Sequence, residues 1–183
     1  MTKFSICVYC GSRAGALPAY ASEAEALGGA IASEGWRLVY GAGDVGLMGT
    51  VARAAQTGGA ETFGVIPTHL LSLEVGKTDL TKFIVTETMH ERKKVMVMNA
   101  DAVVVMPGGA GSLDEFFEVL TWRQLGLHSK PIVLMDVAGY WGPLRALMEH
   151  VVDQGFAERS LLDFVQAAAS AEEVMTILRR ALS

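Results

Sequence analysis

Several things are scarce in this sequence, and each scarcity closes off a class of protein. Cysteine is nearly absent: Cys7 and Cys10 are the two present in 183 residues, too few for a disulfide framework. Their C-x-x-C spacing raises redox or metal chemistry, but on an extended strand residues three apart point to opposite faces and lie ~10 Å apart, beyond disulfide reach. Two reduced cysteines in a strand are expected. No apolar run approaches the roughly 18 residues of a membrane span. The start of the chain, Lys3 and a short apolar run ending at Gly11, has neither a long h-region nor a small-residue cleavage site. A cytoplasmic location with no membrane partner is expected. Positive charge is also short, with 15 Lys and Arg against 20 Asp and Glu and a net charge of −5. Nucleic acid demands clustered cations, so it is excluded as a partner; a small anion needs only a local cationic pocket. Internal repeats, low-complexity tracts and linkers are absent. His69, His128 and His150 stand without any partner pattern and read as surface or structural residues. No metal and no cofactor is expected.

What is there is an alternation. At this length, with 51% apolar and 19% charged residues, one domain spanning 1–183 with a substantial core is expected. Strand patterns at Phe4–Cys10, Trp36–Tyr40, Thr62–Ile66, Lys82–Thr86, Ala102–Met106, Pro131–Met135 and around Phe164-Val165 are separated by helical patterns. The helices run from Tyr20 to Ser33, Val45 to Thr57, Thr88 to Asn99, Ser112 onward, Trp141 to Asp153, and Ser170 to the end. The stretch from Thr68 to Thr81 has no clear period and reads as a loop with a short helical piece. Strand alternating with helix implies an α/β, Rossmann-like, doubly wound sheet of about seven mainly parallel strands with helices on both faces. Such sheets bind ligands beyond the carboxyl ends of their strands. Gly11, Gly41, Pro67 and Pro107 all follow strands, so their loops should converge on one crevice.

The stretch from Ala100 to Glu118 organises the rest. An apolar run, Ala102-Val103-Val104-Val105-Met106, is broken by Pro107-Gly108-Gly109-Ala110-Gly111, and a helix follows. Strand, glycine loop and helix N-terminus in that order make an anion site, because unpaired N–H groups and the positive dipole end meet where glycines admit close approach. Ser112 is expected as N-cap with Glu115 at the third helical position, a capping-box pattern. Asp114, Glu115 and Glu118 thus suit either the helix dipole or catalysis, and pattern alone leaves both open.

Two other motifs bear on the site. Gly41-Ala42-Gly43-Asp44-Val45-Gly46 matches the dinucleotide fingerprint G-x-G-x-x-G. It follows the second strand rather than the first, and Glu61 precedes its strand rather than ending it, so a tight turn that touches phosphate or ribose is the better reading. In Met89-His90-Glu91-Arg92-Lys93 at a helix start, Glu91 with Thr88 reads as a capping box. Arg92, Met96 and Asn99 share one face, so Arg92 lies on an inward stripe and wants an anionic partner.

Taken together, Pro107-Gly108-Gly109-Ala110-Gly111-Ser112-Leu113-Asp114-Glu115 and Met89-His90-Glu91-Arg92-Lys93 resemble the PGGxGTxxE and MHxRK signatures of the LOG ("Lonely guy") family. Those proteins are cytokinin riboside 5′-monophosphate phosphoribohydrolases, long mislabelled as lysine decarboxylases. Cys10-Gly11-Ser12, Tyr40-Gly41-Ala42-Gly43, Gly46-Leu47-Met48-Gly49, Gly64-Val65-Ile66-Pro67 and Thr121-Trp122-Arg123-Gln124-Leu125-Gly126 fit as well. Ser112 stands for the usual Thr, Asp114 for the usual Glu and Ala42 for a usual Gly. The resemblance implies hydrolysis of the N-glycosidic bond of a nucleoside 5′-monophosphate such as AMP or its isopentenylated form, with Arg92 and Glu115 as the catalytic pair. It implies a phosphate held by Gly108, Gly109, Ala110, Gly111 and Ser112, with Gly11, Ser12, Gly41 and Gly43 nearby. Lys93 would add positive potential, and Asp114 and Glu74 would meet ribose hydroxyls or base edge. It also implies a homodimer, for which Trp122 and Leu125 are candidate contacts. Two alternatives remain at this point: a carrier of nucleotide or molybdenum cofactor on the same fold, and an NAD-binding enzyme using Gly41 to Gly46. Lysine decarboxylation is discounted, since no lysine sits in a recognisable pyridoxal-phosphate context.

Overall fold

A computed structural model describes residues 4–71 and 77–183. Seven parallel strands form one sheet: β1 (Ser5–Tyr9), β2 (Arg37–Tyr40), β3 (Thr62–Pro67), β4 (Lys82–Thr86), β5 (Ala102–Val105), β6 (Ile132–Met135) and β7 (Val165–Ala168), in the spatial order β4-β3-β2-β1-β5-β6-β7. The helices are α1 (Pro18–Ser33), α2 (Gly46–Thr57), α3 (Met89–Met98), α4 (Ala110–Gln124), α5 (Gly142–Asp153) and α6 (Ala171–Leu182). The expected α/β class, the parallel sheet and the helices on both faces are all present.

Alternation along each strand divides the core in two. Ile6, Val8 and Cys10 of the β1 segment pack with Leu27 of α1, Val51 of α2 and Val174 of α6. Cys7 and Tyr9 pack on the other face with Met96 of α3, Phe116 of α4 and Met148 of α5. The two cysteines are therefore buried on opposite faces and unbridged, as expected. Full burial of a side chain such as Phe116, 0% exposed, contributes about 1.5–3 kcal/mol.

The chain starts at β1, walks outward to β4, then returns through α3 to lay β5 against the other edge of β1. That reversal is the topological switch point, and it opens a crevice above the carboxyl ends of β1 and β5. The two strands end level, with Tyr9 paired to Val105. Beyond them the Gly11 N–H donates to the Pro107 carbonyl at 3.0 Å and the Leu47 N–H to the Gly11 carbonyl at 3.1 Å. Three loops, after β1, β2 and β5, thus meet at one point.

Most boundaries fall within two residues of expectation, and one difference matters. Helix α4 begins at Ala110 with Gly109 as N-cap, not at Ser112. Glycine at 109 takes the extended cap conformation (φ −95°, ψ −154°), which adds two helical residues ahead of Ser112. Ser112 and Glu115 consequently form no capping box. The box expected for α3 does form: Thr88 accepts from the Glu91 N–H at 3.2 Å, and the Glu91 carboxylate accepts from the Thr88 N–H at 3.1 Å. After β3 a 3-10 turn covers Thr68–Leu70, and Glu74 lies outside the described residues.

Candidate active site

The N-terminus of α4 is the centre of the crevice. The first intrahelical bond runs from the Leu113 N–H to the Gly109 carbonyl at 3.1 Å. Gly109, Ala110, Gly111 and Ser112 therefore carry the N–H groups with no partner inside the helix, and the cap residue, a glycine, has no side chain to offer them. The glycines have separate tasks. A Cβ on Gly108 would lie 2.1 Å from the Ser112 hydroxyl, so glycine there lets the loop fold down onto Ser112, whereas among the described residues a Cβ on Gly109 or Gly111 would meet nothing within 4 Å beyond its own helix. The first glycine makes the loop; the other two leave room above it.

That room is a cleft of about 310 Å³. Tyr9, Cys10, Gly11 and Ser12 line it from the end of β1, and Gly109, Ala110, Gly111, Ser112 and Glu115 from α4. Met89, Arg92 and Met96 enter from α3, and Met48 and Leu70 close it. The inward stripe on α3 brings Arg92 to 4% exposure. Its Nε donates to the Val65 carbonyl at 3.0 Å and its Nη2 to the Gly41 carbonyl at 2.7 Å, which fixes the guanidinium at the cleft wall. A Cβ on residue 41 would sit 2.2 Å from that Nη2, so the first glycine of the G-x-G-x-x-G pattern is there to admit an arginine. The last, Gly46, has φ +55° and packs its Cα against the Ser12–Arg13 backbone, where a Cβ would lie 2.3 Å from the Ser12 carbonyl carbon. These glycines answer to protein packing and do not require a pyrophosphate.

Charge is placed with equal economy. Lys93, beside Arg92, turns away from the cleft lining and is bound by Asp114 at 2.8 Å and Glu118 at 2.9 Å. Burial pulls its ammonium downward, but the bonds and attraction of the two carboxylates outweigh that and raise it above its ordinary value. It stays protonated and ties α3, which carries Arg92, to α4, which carries Glu115. Burial pushes the Tyr9 phenol well above its usual range, and Cys7 and the Glu115 charge add to the shift. Burial, then the Glu115 charge, raise the Cys7 thiol in the same way. Both stay neutral, and among the described residues that line the cleft the half-buried Glu115 is the carboxylate.

Of the residues singled out from sequence, the cleft gathers Arg92, Glu115, Gly109, Ala110, Gly111, Ser112, Gly11 and Ser12. Lys93 and Asp114 belong to the neighbouring ion-pair cluster. Gly41 serves Arg92, Gly43 lies outside the lining, and Gly108 lines a second cavity of about 340 Å³ behind the glycine loop. That cavity also holds Tyr140, which sequence reasoning passed over. Its hydroxyl donates to the Gly108 carbonyl at 2.6 Å. Its place just beyond the carboxyl end of β6 was the available signal.

Comparisons with known proteins place the chain in a family. A family model described as possible lysine decarboxylase matches residues 48–178. The cytokinin riboside 5′-monophosphate phosphoribohydrolase LOG7 of Arabidopsis thaliana is 40% identical over 170 residues, covering 93% of this chain and 78% of that protein. The chain belongs to the LOG family. The rice (Oryza sativa subsp. japonica) protein LOG is likewise 40% identical over 170 residues, 93% of this chain and 70% of its own. Among solved structures, the Moco carrier protein of Chlamydomonas reinhardtii matches with a TM-score of 0.75 at 23% identity, covering 98% of each chain. The molybdenum cofactor binding protein of Rippkaea orientalis matches with a TM-score of 0.74 at 24% identity, covering 100% of this chain and 99% of that one. At those identities the likeness is one of fold. The LOG assignment rests on the sequence relatives, and the architecture is shared more widely.

Proposed function

We propose that this LOG-family chain hydrolyses the N-glycosidic bond of nucleoside 5′-monophosphates, AMP or an N6-isopentenylated AMP among them, to free base and ribose 5-phosphate. The observation that carries the reading is the meeting, in one cleft, of an uncapped helix N-terminus with Glu115 on the same helix and Arg92 opposite. The N–H groups of Gly109 to Ser112 hold the 5′-phosphate, which fixes the ribose with its anomeric carbon toward Glu115. As the bond from C1′ to the base nitrogen breaks, its electron pair leaves with the base and positive charge builds on the sugar. The Glu115 carboxylate stabilises that charge and orients a water. The water oxygen bonds to C1′, its proton passes to the carboxylate, and the carboxyl then returns that proton, through solvent, to the departed base. Arg92, fixed by two main-chain carbonyls, supplies positive potential toward the carboxylate and substrate oxygens. Lys93 contributes by holding the two helices together through Asp114 and Glu118, and Glu74 is assigned to ribose hydroxyls or the base edge. The protein works as a homodimer. The patch at the C-terminal ends of α3 and α4, where Met98, Leu125 and Leu127 are 69%, 67% and 68% exposed beside Trp122, is assigned to that contact. Sedimentation should give twice 19.5 kDa, and a monomer at micromolar concentration would remove the dimer assignment.

The deciding experiment incubates purified protein with AMP, with isopentenyladenosine 5′-monophosphate, and with each nucleoside lacking phosphate, and follows free base by chromatography. Release from the monophosphates alone is expected. Release from the nucleosides as well would take the α4 N-terminus out of substrate selection. Release from none by folded protein would overturn hydrolysis in favour of a carrier.

A further inference from the structure

We infer that Tyr140 is a positioning residue that sets the direction of the Gly109 N–H and thereby arms the α4 N-terminus for an anion. A trans peptide is planar, and its carbonyl and N–H point in opposite directions; the peptide joining Gly108 to Gly109 is trans. The Tyr140 hydroxyl holds the Gly108 carbonyl at 2.6 Å. Tyr140 lines the cavity behind the loop, together with Gly108 and Gly109; the cleft that holds Glu115 is lined by Gly109 and not by Tyr140 or Gly108. Drawing the carbonyl toward Tyr140 therefore turns the Gly109 N–H toward the Glu115 side. This peptide lies between two glycines, where no Cβ resists its rotation. Without the hydroxyl it is free to turn over, which would present a carbonyl oxygen where an anion is to sit.

The tyrosine is itself held firmly. Ala138 and Gly139 just before it take left-handed conformations, φ 53° and 73°, which an alanine adopts only under strain. That strain is retained in a turn whose next residues are pinned: the Trp141 N–H donates to the Asp136 carboxylate at 2.6 Å and the Trp141 indole to the Val105 carbonyl at 3.1 Å. The Tyr140 ring stands edge-on to Tyr20 at 5.7 Å and to Trp141 at 4.7 Å. Tyr140 as a whole is 38% exposed and lies outside the buried core, so Tyr140→Phe keeps the ring contacts and removes the bond.

The inference relies on the hydrolase reading only for the ligand's identity, and its test does not use turnover. Binding of ribose 5-phosphate and of inorganic phosphate is measured by calorimetry on wild type and Tyr140→Phe, with adenosine as the phosphate-free control and melting curves alongside. Tyr140→Phe should bind both phosphates about tenfold more weakly, the worth of one hydrogen bond, with adenosine binding and melting unchanged. In a Gly109→Pro background, which lacks the N–H, the same change should have no further effect. Phosphate binding by Tyr140→Phe within twofold of wild type would overturn the inference. So would a loss that reappears undiminished with Gly109→Pro, or wild type that binds neither phosphate. Wild type that binds ribose 5-phosphate yet releases base from no nucleotide would sink the hydrolase reading and leave the tyrosine's role standing.

Discussion

Arg92 and Gly41 meet guanidinium to carbonyl at 2.7 Å, and the approach is possible because residue 41 has no side chain. The same arginine holds the Val65 carbonyl, so it is a structural tie between α3, β2 and β3 as well as a wall of the cleft. Arg92→Ala should therefore lower stability and activity together: about 1–3 kcal/mol for each carbonyl left without its partner, and turnover at least ~100-fold down. Arg92→Lys should recover part of the stability but little of the turnover, since one ammonium cannot span both carbonyls in the guanidinium's planar geometry. Melting and base release from the same preparations decide it. Turnover within a few-fold of wild type in Arg92→Ala would remove the arginine from the mechanism.

Glu115 is expected to behave differently. With Gly109 as N-cap it sits in the second turn of α4, past the positions where a carboxylate caps the helix. Glu115→Gln should cut turnover by about 10²–10⁴-fold while stability stays within about 1 kcal/mol of wild type. Retained turnover would show that the carboxylate takes no part in the reaction.

The contrast between these two residues shows how far the sequence could be followed. Strand and helix alternation was legible because β1 and β5 are nearly unbroken apolar runs punctuated by glycine. The spatial order of the strands was not, since it depends on which edge of β1 receives β5. The inward stripe on α3 was legible in the spacing of Arg92 and Met96. The partners of Arg92 were not, because main-chain carbonyls leave no trace in a side-chain pattern. Lys93 follows Arg92 by one residue and so points about 100° away around the helix, which removes it from the cleft and gives it to Asp114 and Glu118. The start of α4 was misplaced because S-x-x-E satisfies the capping rule as written, while a glycine at 109 can take the cap conformation with no side-chain signature at all.

His128 makes stability depend on pH. Its Nε2 donates to the Val119 carbonyl at 2.9 Å, and its Nδ1 accepts the Lys130 N–H at 3.2 Å, an arrangement open only to the neutral ring. Burial first, then the nearby charges of Lys130 and Arg123, hold the imidazole below its ordinary value against the pull of the Val119 bond. The folded state thus binds this proton less tightly than the unfolded chain. The associated stability is complete above the ordinary value of about 6.5 and is lost as the pH falls from there through the lower value of the folded state. The urea midpoint should be lower at about pH 5.5 than at about pH 7.5, a window above most carboxylate titration. In His128→Gln that difference should shrink, and an unchanged difference would place the pH dependence elsewhere.

Gly108 and Gly111 separate loop architecture from ligand space. A methyl on residue 108 has nowhere to go: the Ser112 hydroxyl is 2.1 Å away and the Gly11 nitrogen 3.0 Å away. Gly108→Ala should displace the loop, costing about 1–3 kcal/mol and raising KM along with that loss. A methyl on residue 111 meets nothing beyond its own helix within 4 Å among the described residues, and alanine in a helix is favoured over glycine by up to about 1 kcal/mol. Gly111→Ala should consequently melt at or above wild type. If the open space over α4 is where the phosphate sits, the same variant should raise KM for AMP at least several-fold, because the methyl intrudes where the anion approaches the backbone. A more stable protein that binds nucleotide less well is an outcome that a purely structural glycine cannot produce. A Gly111→Ala variant with unchanged KM would move the phosphate off the helix N-terminus, whatever the fate of Glu115.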